Sequence, residues 1–277
     1  MRRSLEKARV CPAGLIVVIG APPEAGAHTP RNVRMYCTLG RRCVFRSLPT
    51  SSALAFEDRV ALLVEREAAH RDGRRLTRLL AKARFKYAQA CLEDLDTRAS
   101  RGLDARLITS LAHGQWLERG QPILIAGPTG VGKTWLACAL AQKACRLGHT
   151  ALYARLPRLL EELRIARGDG THKRRLLALA KIQVLVLDDW ALQPLEPYGR
   201  EDLLEIMDDR AERHATIITA QLPIEHWHGW IGDATIADAI LDRLLHHAHR
   251  LTLKGESLRR ATKEPKSRSD KTPIVTD

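Results

Sequence analysis

The sequence predicts an α/β protein: a mainly parallel sheet flanked by helices, preceded by a small helical domain. Two observations carry that expectation. Between residues 105 and 255, short apolar strand patterns alternate with helical ones. Within that stretch, "ILIAGPTGVGKTWLACAL" (123–140) runs from an apolar strand through a glycine-rich loop into an amphipathic helix.

The chain of 277 residues is long enough for one large domain or two modest ones, and its 45% hydrophobic content allows a sizeable core. Its formal charge of +13 points to a polyanionic partner, most simply nucleic acid. More than half of that excess, +7, falls in residues 1–50. Those residues are rich in Pro and Gly and lack a sustained period, so 1–52 reads as an atypical, disordered basic extension. "MRRSLEKAR" followed by "VCPAGLIVVIGA" has the outline of a signal peptide, and "GAPPEAG" resembles a phosphate loop without its Lys-Ser/Thr. The apolar stretch is weak, and the reading adopted is cytoplasmic. No apolar run approaches the length of a membrane span. The six cysteines form no C-x-x-C pair and read as ordinary reduced thiols.

Residues 53–104 form the helical N-terminal domain. Apolar Leu62, Leu63, Leu76, Leu79, Leu80 and Ala83 recur between charges and predict two amphipathic helices. Arg71, Arg74, Arg75, Arg78 and Lys82 follow at three- and four-residue steps, opposite the leucines. They form either a solvated helix face or a row that tracks DNA phosphates. "DTRASRGLD" (96–104) reads as a linker. Within 105–260, strands are expected at 122–126, 150–154, 183–188, 215–220 and 249–253, and helices at 132–147, 156–167, 172–181, 199–213 and 234–247. The polar stretch 261–277 reads as a disordered tail.

"GPTGVGKT" matches G-x-x-x-x-G-K-[ST] in full, through Gly127, Pro128, Thr129, Gly130, Val131, Gly132, Lys133 and Thr134. The glycines let backbone N–H groups converge on phosphate oxygens at a helix N-terminus. Lys133 would reach the β- and γ-phosphates of ATP, and Thr134 would hold Mg²⁺. "VLVLDDW" (184–190) is an apolar strand ending in carboxylates. Asp188 is placed to bind Mg²⁺ and Asp189 to orient the attacking water. "TIITAQLP" (216–223) puts Thr219 and Gln221 at the sheet edge where ligands bind. Either would sense the γ-phosphate or position the water; a plain strand-end polar pair is the alternative. Arg243 has no evident local partner beyond Asp242, which suits a finger reaching a neighbouring subunit's site. His246, His247 and His249 lack a second ligand cluster, and "HWHGW" (226–230) reads as a packing turn.

With these residues in place, the chain from about Ala53 to Arg260 resembles the IstB family, helper ATPases of bacterial insertion sequences related to the DnaC-type helicase loaders of the AAA+ group. The resemblance rests on "GPTGVGKTWLACAL", "VLVLDDW", "IGDATIADAILDRL" and "KGESLR" in that order. It implies a P-loop NTPase (AAA+-like) core behind the helical domain, assembled as a homo-oligomer on double-stranded DNA with little sequence preference. It also implies ATP hydrolysis, presentation of target DNA to a partner transposase and nucleoid association. Gly127 to Thr134 match the family's phosphate loop, Asp188 and Asp189 its acidic pair, and Arg243 its finger position. Gln221 lies near the first sensor, and Arg259 is a weaker second nucleotide-facing arginine. Ala191 stands where the family usually has Gly. A replicative helicase loader is the alternative. A small-molecule kinase would need an arginine-bearing lid, and no such insertion follows Arg155. A DNA-binding protein without turnover is disfavoured by intact Lys133, Thr134, Asp188 and Asp189.

Overall fold

In the computed structural model, the described residues are 55–95, 102–255 and four two-residue strands between 9 and 43. Two compact units divide at residue 69. In the first, β1 (Arg9–Val10) pairs antiparallel with β2 (Ile16–Val17), and β3 (Met35–Tyr36) with β4 (Arg42–Cys43). Apart from these strands, the expected extension over 1–52 lies outside the described residues, as do the tail 261–277 and Arg259.

Helix α1 (Phe56–Ala83) begins in the first unit, and its residues from His70 onward belong to the second. It corrects the expectation of two helices. Asp72-Gly73 does not break it, because a helical glycine costs only about 1 kcal/mol relative to Ala. Packing of Leu76, Leu79 and Leu80 against the core outweighs that cost. Thr77 Oγ1 also donates to Gly73 O at 2.9 Å across the weak point. Arg84, at φ 54, ends the helix in the left-handed region. The chain then runs through buried Ala90 to a 3₁₀ turn at Leu92–Asp94.

Helices α2 (Ala105–His113) and α3 (Gln115–Glu118) precede the sheet and were not anticipated. Asp104 caps α2 through the Arg106 N–H at 2.8 Å. The remaining elements alternate as expected, apart from an additional short helix at Trp227–Ile231. They are β5 (Ile123–Ala126), α4 (Lys133–Arg146), β6 (Ala151–Arg155), α5 (Leu156–Gly168), α6 (His172–Ala180) and β7 (Val184–Trp190). Then follow α7 (Pro197–Arg210), β8 (Ala215–Ala220), α8 (Trp227–Ile231), α9 (Ala234–Leu245) and β9 (His249–Thr252). All five strands from β5 on are parallel, in the order β6-β7-β8-β5-β9.

The strands are apolar on both faces because helices cover both. Ile123, Ile125, Val184, Val186 and Ile217 join a core with α2, α3 and α4. Leu124, Leu185, Leu187 and Ile218 join another with α5 through α9. The period-two alternation of strand side chains separates the two sets. This order brings the carboxyl ends of β5, β7 and β8 to one edge.

Arg210 fastens the opposite edge and is 1% exposed. Its guanidinium donates to Leu179 O at 2.9 Å, Ile182 O at 2.6 Å, Ala215 O at 2.6 Å and Thr216 Oγ1 at 3.1 Å. Burial pushes its pKa down to about 10, so it remains charged at neutral pH. Arg210→Ala would remove four donated hydrogen bonds at a buried position. It is expected to destabilise the protein by about 3 kcal/mol or more, measured by urea unfolding followed by far-UV circular dichroism.

Candidate nucleotide site

The sheet's carboxyl edge assembles the site. After β5 the chain must turn close beneath β9. A Cβ on Gly127 would meet Leu253 O at 2.4 Å, and φ 149 adds a second reason for glycine. Val131 is buried in the core under the loop and anchors it. Gly132, at φ 94, is the N-cap of α4, whose first residues are Lys133 and Thr134. Lys133 is 9% exposed, and its Nζ donates to Gly127 O and Pro128 O, both at 2.7 Å. The loop's carbonyls thus hold the ammonium where phosphate oxygens would compete for it.

Asp188 is fully buried at the end of β7. Its Oδ1 accepts from Thr134 Oγ1 at 2.8 Å and from Thr219 Oγ1, and its Oδ2 accepts from the Tyr153 phenol Oη at 2.6 Å. Burial and the Asp188 carboxylate together hold the Tyr153 phenol pKa far above its ordinary value. Lys86 Nζ lies 3.8 Å from Asp188 Oδ2.

Asp189 points elsewhere for a backbone reason. The pairing of Leu187 with Ile218 resumes at Trp190 with Ala220, so two residues of β7 stand opposite Thr219 alone. Asp189 takes φ 62 at this bulge, and its N–H donates to Thr219 Oγ1 at 3.4 Å. Its carboxylate accepts from Arg155 Nε at 2.7 Å, and that partnership raises the Arg155 pKa. Ala191 follows at φ 58, a left-handed position that a glycine would take with less strain. Trp190 packs on Trp227 and Trp230 at 5.2 and 5.1 Å, and Trp230 Nε1 donates to Gln193 O at 2.6 Å. The "HWHGW" stretch therefore packs, as expected, but it does so as helix α8 rather than as a turn.

A cavity of about 390 Å³ opens between these groups. Thr129, Gly130, Gly132, Lys133, Thr134, Asp188, Asp189, Thr219 and Gln221 line it, with Lys86, Tyr87 and Trp135. Gln221 Oε1 accepts from Thr129 Oγ1 at 2.7 Å, which ties the end of β8 to the phosphate loop. Of the two strand-end candidates, Thr219 therefore serves the acidic pair and Gln221 the loop. A lysine and helix N-terminus for phosphates, beside a hydroxyl and a buried carboxylate for a divalent cation, are the donor set that ATP·Mg²⁺ requires.

Three expectations change. Arg243 is not without a local partner: its Nη2 and Nε contact Asp208 Oδ1 at 2.6 and 2.8 Å, and its Nη1 donates to Ala239 O at 2.8 Å. It does not line the cavity of its own chain. Arg75 is drawn out of the basic row, because its Nη2 donates to Gly148 O at 3.0 Å. Arg74, Arg78 and Lys82 are exposed and Arg71 is half-buried. Tyr153 and Arg155 were missed as site residues, although their place at the carboxyl end of a strand was a usable signal. His246 is the C-cap of α9, and His249 opens β9.

Strand order, phosphate loop and acidic strand end together define a P-loop ATP-binding protein of the AAA+ type. The match to known families is more particular: residues 45–266 match the family described as IstB-like ATP binding protein, and the chain belongs to it. It is 58% identical over 177 residues to the ATP-binding protein of insertion sequence IS1162 from Pseudomonas fluorescens, covering 64% of this chain and 77% of the relative. It is 50% identical over 210 residues to insertion sequence ATP-binding protein y4pL of Sinorhizobium fredii, covering 76% and 85%. Among solved structures, the DnaC helicase loader aligns with a TM-score of 0.51 at 22% identity, covering 61% of this chain and 99% of that one. DnaI aligns with a TM-score of 0.52 at 22% identity, covering 60% and 92%. These likenesses concern the fold.

Lys133→Ala is expected to weaken ATP binding at least tenfold, about the loss of one charge-assisted hydrogen bond, without lowering the melting temperature appreciably. Isothermal titration beside a thermal melt checks both.

Proposed function

We propose that this insertion-sequence ATP-binding protein is an ATPase that assembles on duplex DNA in its ATP-bound state and presents target DNA to a partner transposase. The observation that carries the reading is the joining of an intact phosphate loop to the Asp188–Asp189 pair in a chain whose relatives are named for insertion sequences. Hydrolysis needs a water-orienting group and a metal. Asp189, whose carboxylate accepts from Arg155, would take the first role once that contact is released, and Asp188 with Thr134 would hold Mg²⁺. Bound there, the metal would neutralise charge on the phosphates. Lys133 would bind the β- and γ-phosphates, and Gln221 would report on the loop's position.

The finger role of Arg243 requires release from Asp208. That exchange is reasonable for a pair whose side chains are 31% and 63% exposed, since such pairs are worth little. The site then gains a cation from a neighbouring copy on DNA, which couples turnover to assembly. Arg74, Arg78 and Lys82 form the DNA-facing row of the helical domain, contacting phosphates and giving little sequence preference. Residues 53–104 would thus contact DNA or partner, and 105–260 would act as the motor. A helicase-loading role rests on the fold likeness to DnaC and DnaI alone, whereas the insertion-sequence relatives reported above favour the insertion-sequence role. Among the described residues no helix is long and apolar enough to cross a membrane. A cytoplasmic, DNA-associated protein suits the reading.

The test is binding of a labelled random-sequence duplex with ATP·Mg²⁺, ADP·Mg²⁺ or no nucleotide. Tight binding with ATP alone is expected. Arg74→Ala/Arg78→Ala/Lys82→Ala should weaken it on every sequence and reduce the salt slope by about 0.9 per lost phosphate contact. Binding indifferent to nucleotide would contradict the proposal.

A further inference from the structure

The cavity holds a second lysine that neither the phosphate-loop pattern nor the acidic pair accounts for. Lys86 follows α1 by three residues, on the segment that packs through Phe85, Tyr87 and Ala90 against Cys138 and Ala139 of α4. Its side chain is 38% exposed, yet its Nζ stands 3.8 Å from Oδ2 of a carboxylate that is 1% exposed. It therefore reaches into the cavity from the solvent side. Lys133 meanwhile is turned onto the carbonyls of its own loop.

A divalent cation held by Asp188 and Thr134 would carry the same sign of charge as the Lys86 ammonium. Like charges so close repel, and the carboxylate then has a stronger partner. The same event brings anionic phosphate into the cavity, and the metal end of a P-loop site is where β- and γ-oxygens lie. A lysine on a flexible four-carbon stem moves from one acceptor to the other by side-chain rotation alone.

We propose that Lys86 is a second phosphate-binding residue of this site, which neutralises Asp188 in the nucleotide-free chain and turns to the terminal phosphate when metal and ATP enter. The inference rests on the ATP-site reading. It gives the site a direct covalent link to α1, whose exposed Lys82 lies four residues upstream. Presence of the γ-phosphate is thereby signalled to the basic helix without a large movement of the sheet.

The experiment titrates wild type, Lys86→Ala and Lys86→Arg with fluorescent ATP and ADP analogues in Mg²⁺, and follows hydrogen exchange of the 84–95 segment. Lys86→Ala should weaken ATP binding about tenfold, the loss of one charge-assisted hydrogen bond, and leave ADP binding nearly unchanged. Lys86→Arg should recover most of the preference for ATP. In wild type, ATP but not ADP should alter exchange over 84–95, and Lys86→Ala should abolish that difference. Equal weakening of ATP and ADP, or no change in either, would overturn the inference. Wild type that fails to bind ATP, or Lys133→Ala that binds it as wild type does, would instead sink the ATP-site reading beneath it.

Discussion

A single buried carboxylate constrains the rest of the site. An unpartnered carboxylate inside a protein is costly, so Asp188 must be surrounded by donors. Its donors come from three separate elements: Thr134 from the start of α4, Tyr153 from β6 and Thr219 from β8. Satisfying one charge thus fixes the phosphate-loop helix against β7 and both of that strand's neighbours. One of those hydroxyls, Thr134, is also the group that the phosphate-loop pattern assigns to a divalent cation.

The neighbouring carboxylate has a different environment, although only one peptide separates the two. The bulge in β7 sends Asp188 into the protein and Asp189 toward Arg155 at the surface. Left-handed backbone at Asp189 and again at Ala191 is unfavourable for residues with side chains. Trp190, buried between those two positions and packed on Trp227 and Trp230, holds the strand end in place. At the far edge of the sheet, Arg210 satisfies the carbonyls entering β7 and β8. The two central strands are therefore fastened at one end by a buried cation and at the other by a buried anion.

Much of this was legible in the sequence. The five strands lie within a residue or two of where alternating apolar runs placed them, because strands buried on both faces leave a continuous hydrophobic signature. The phosphate loop was legible because its backbone geometry demands glycine. Other features depend on contacts distant in sequence and left no local trace. The stretch around α1 reads as two helices until Leu76, Leu79 and Leu80 are seen against the core. Arg243 reads as unpartnered because Asp208 lies 35 residues earlier on α7. Tyr153 and Arg155 read as ordinary strand residues until the order of β6 beside β7 brings them to the acidic pair. Lys86 lies four residues past the end of the basic row at Lys82, and only the fold reveals which carboxylate it faces.

The most direct measurement is the affinity for ATP with and without Mg²⁺, in wild type and in Asp188→Asn. The amide keeps an acceptor oxygen and removes the charge, so a far-UV spectrum and melt can establish folding alongside. Wild type should bind ATP more tightly with Mg²⁺, and the variant should bind it equally with or without the metal. A folded Asp188→Asn protein that keeps the full effect of Mg²⁺ would contradict the account, since the buried carboxylate would then not be what the metal and the site depend on.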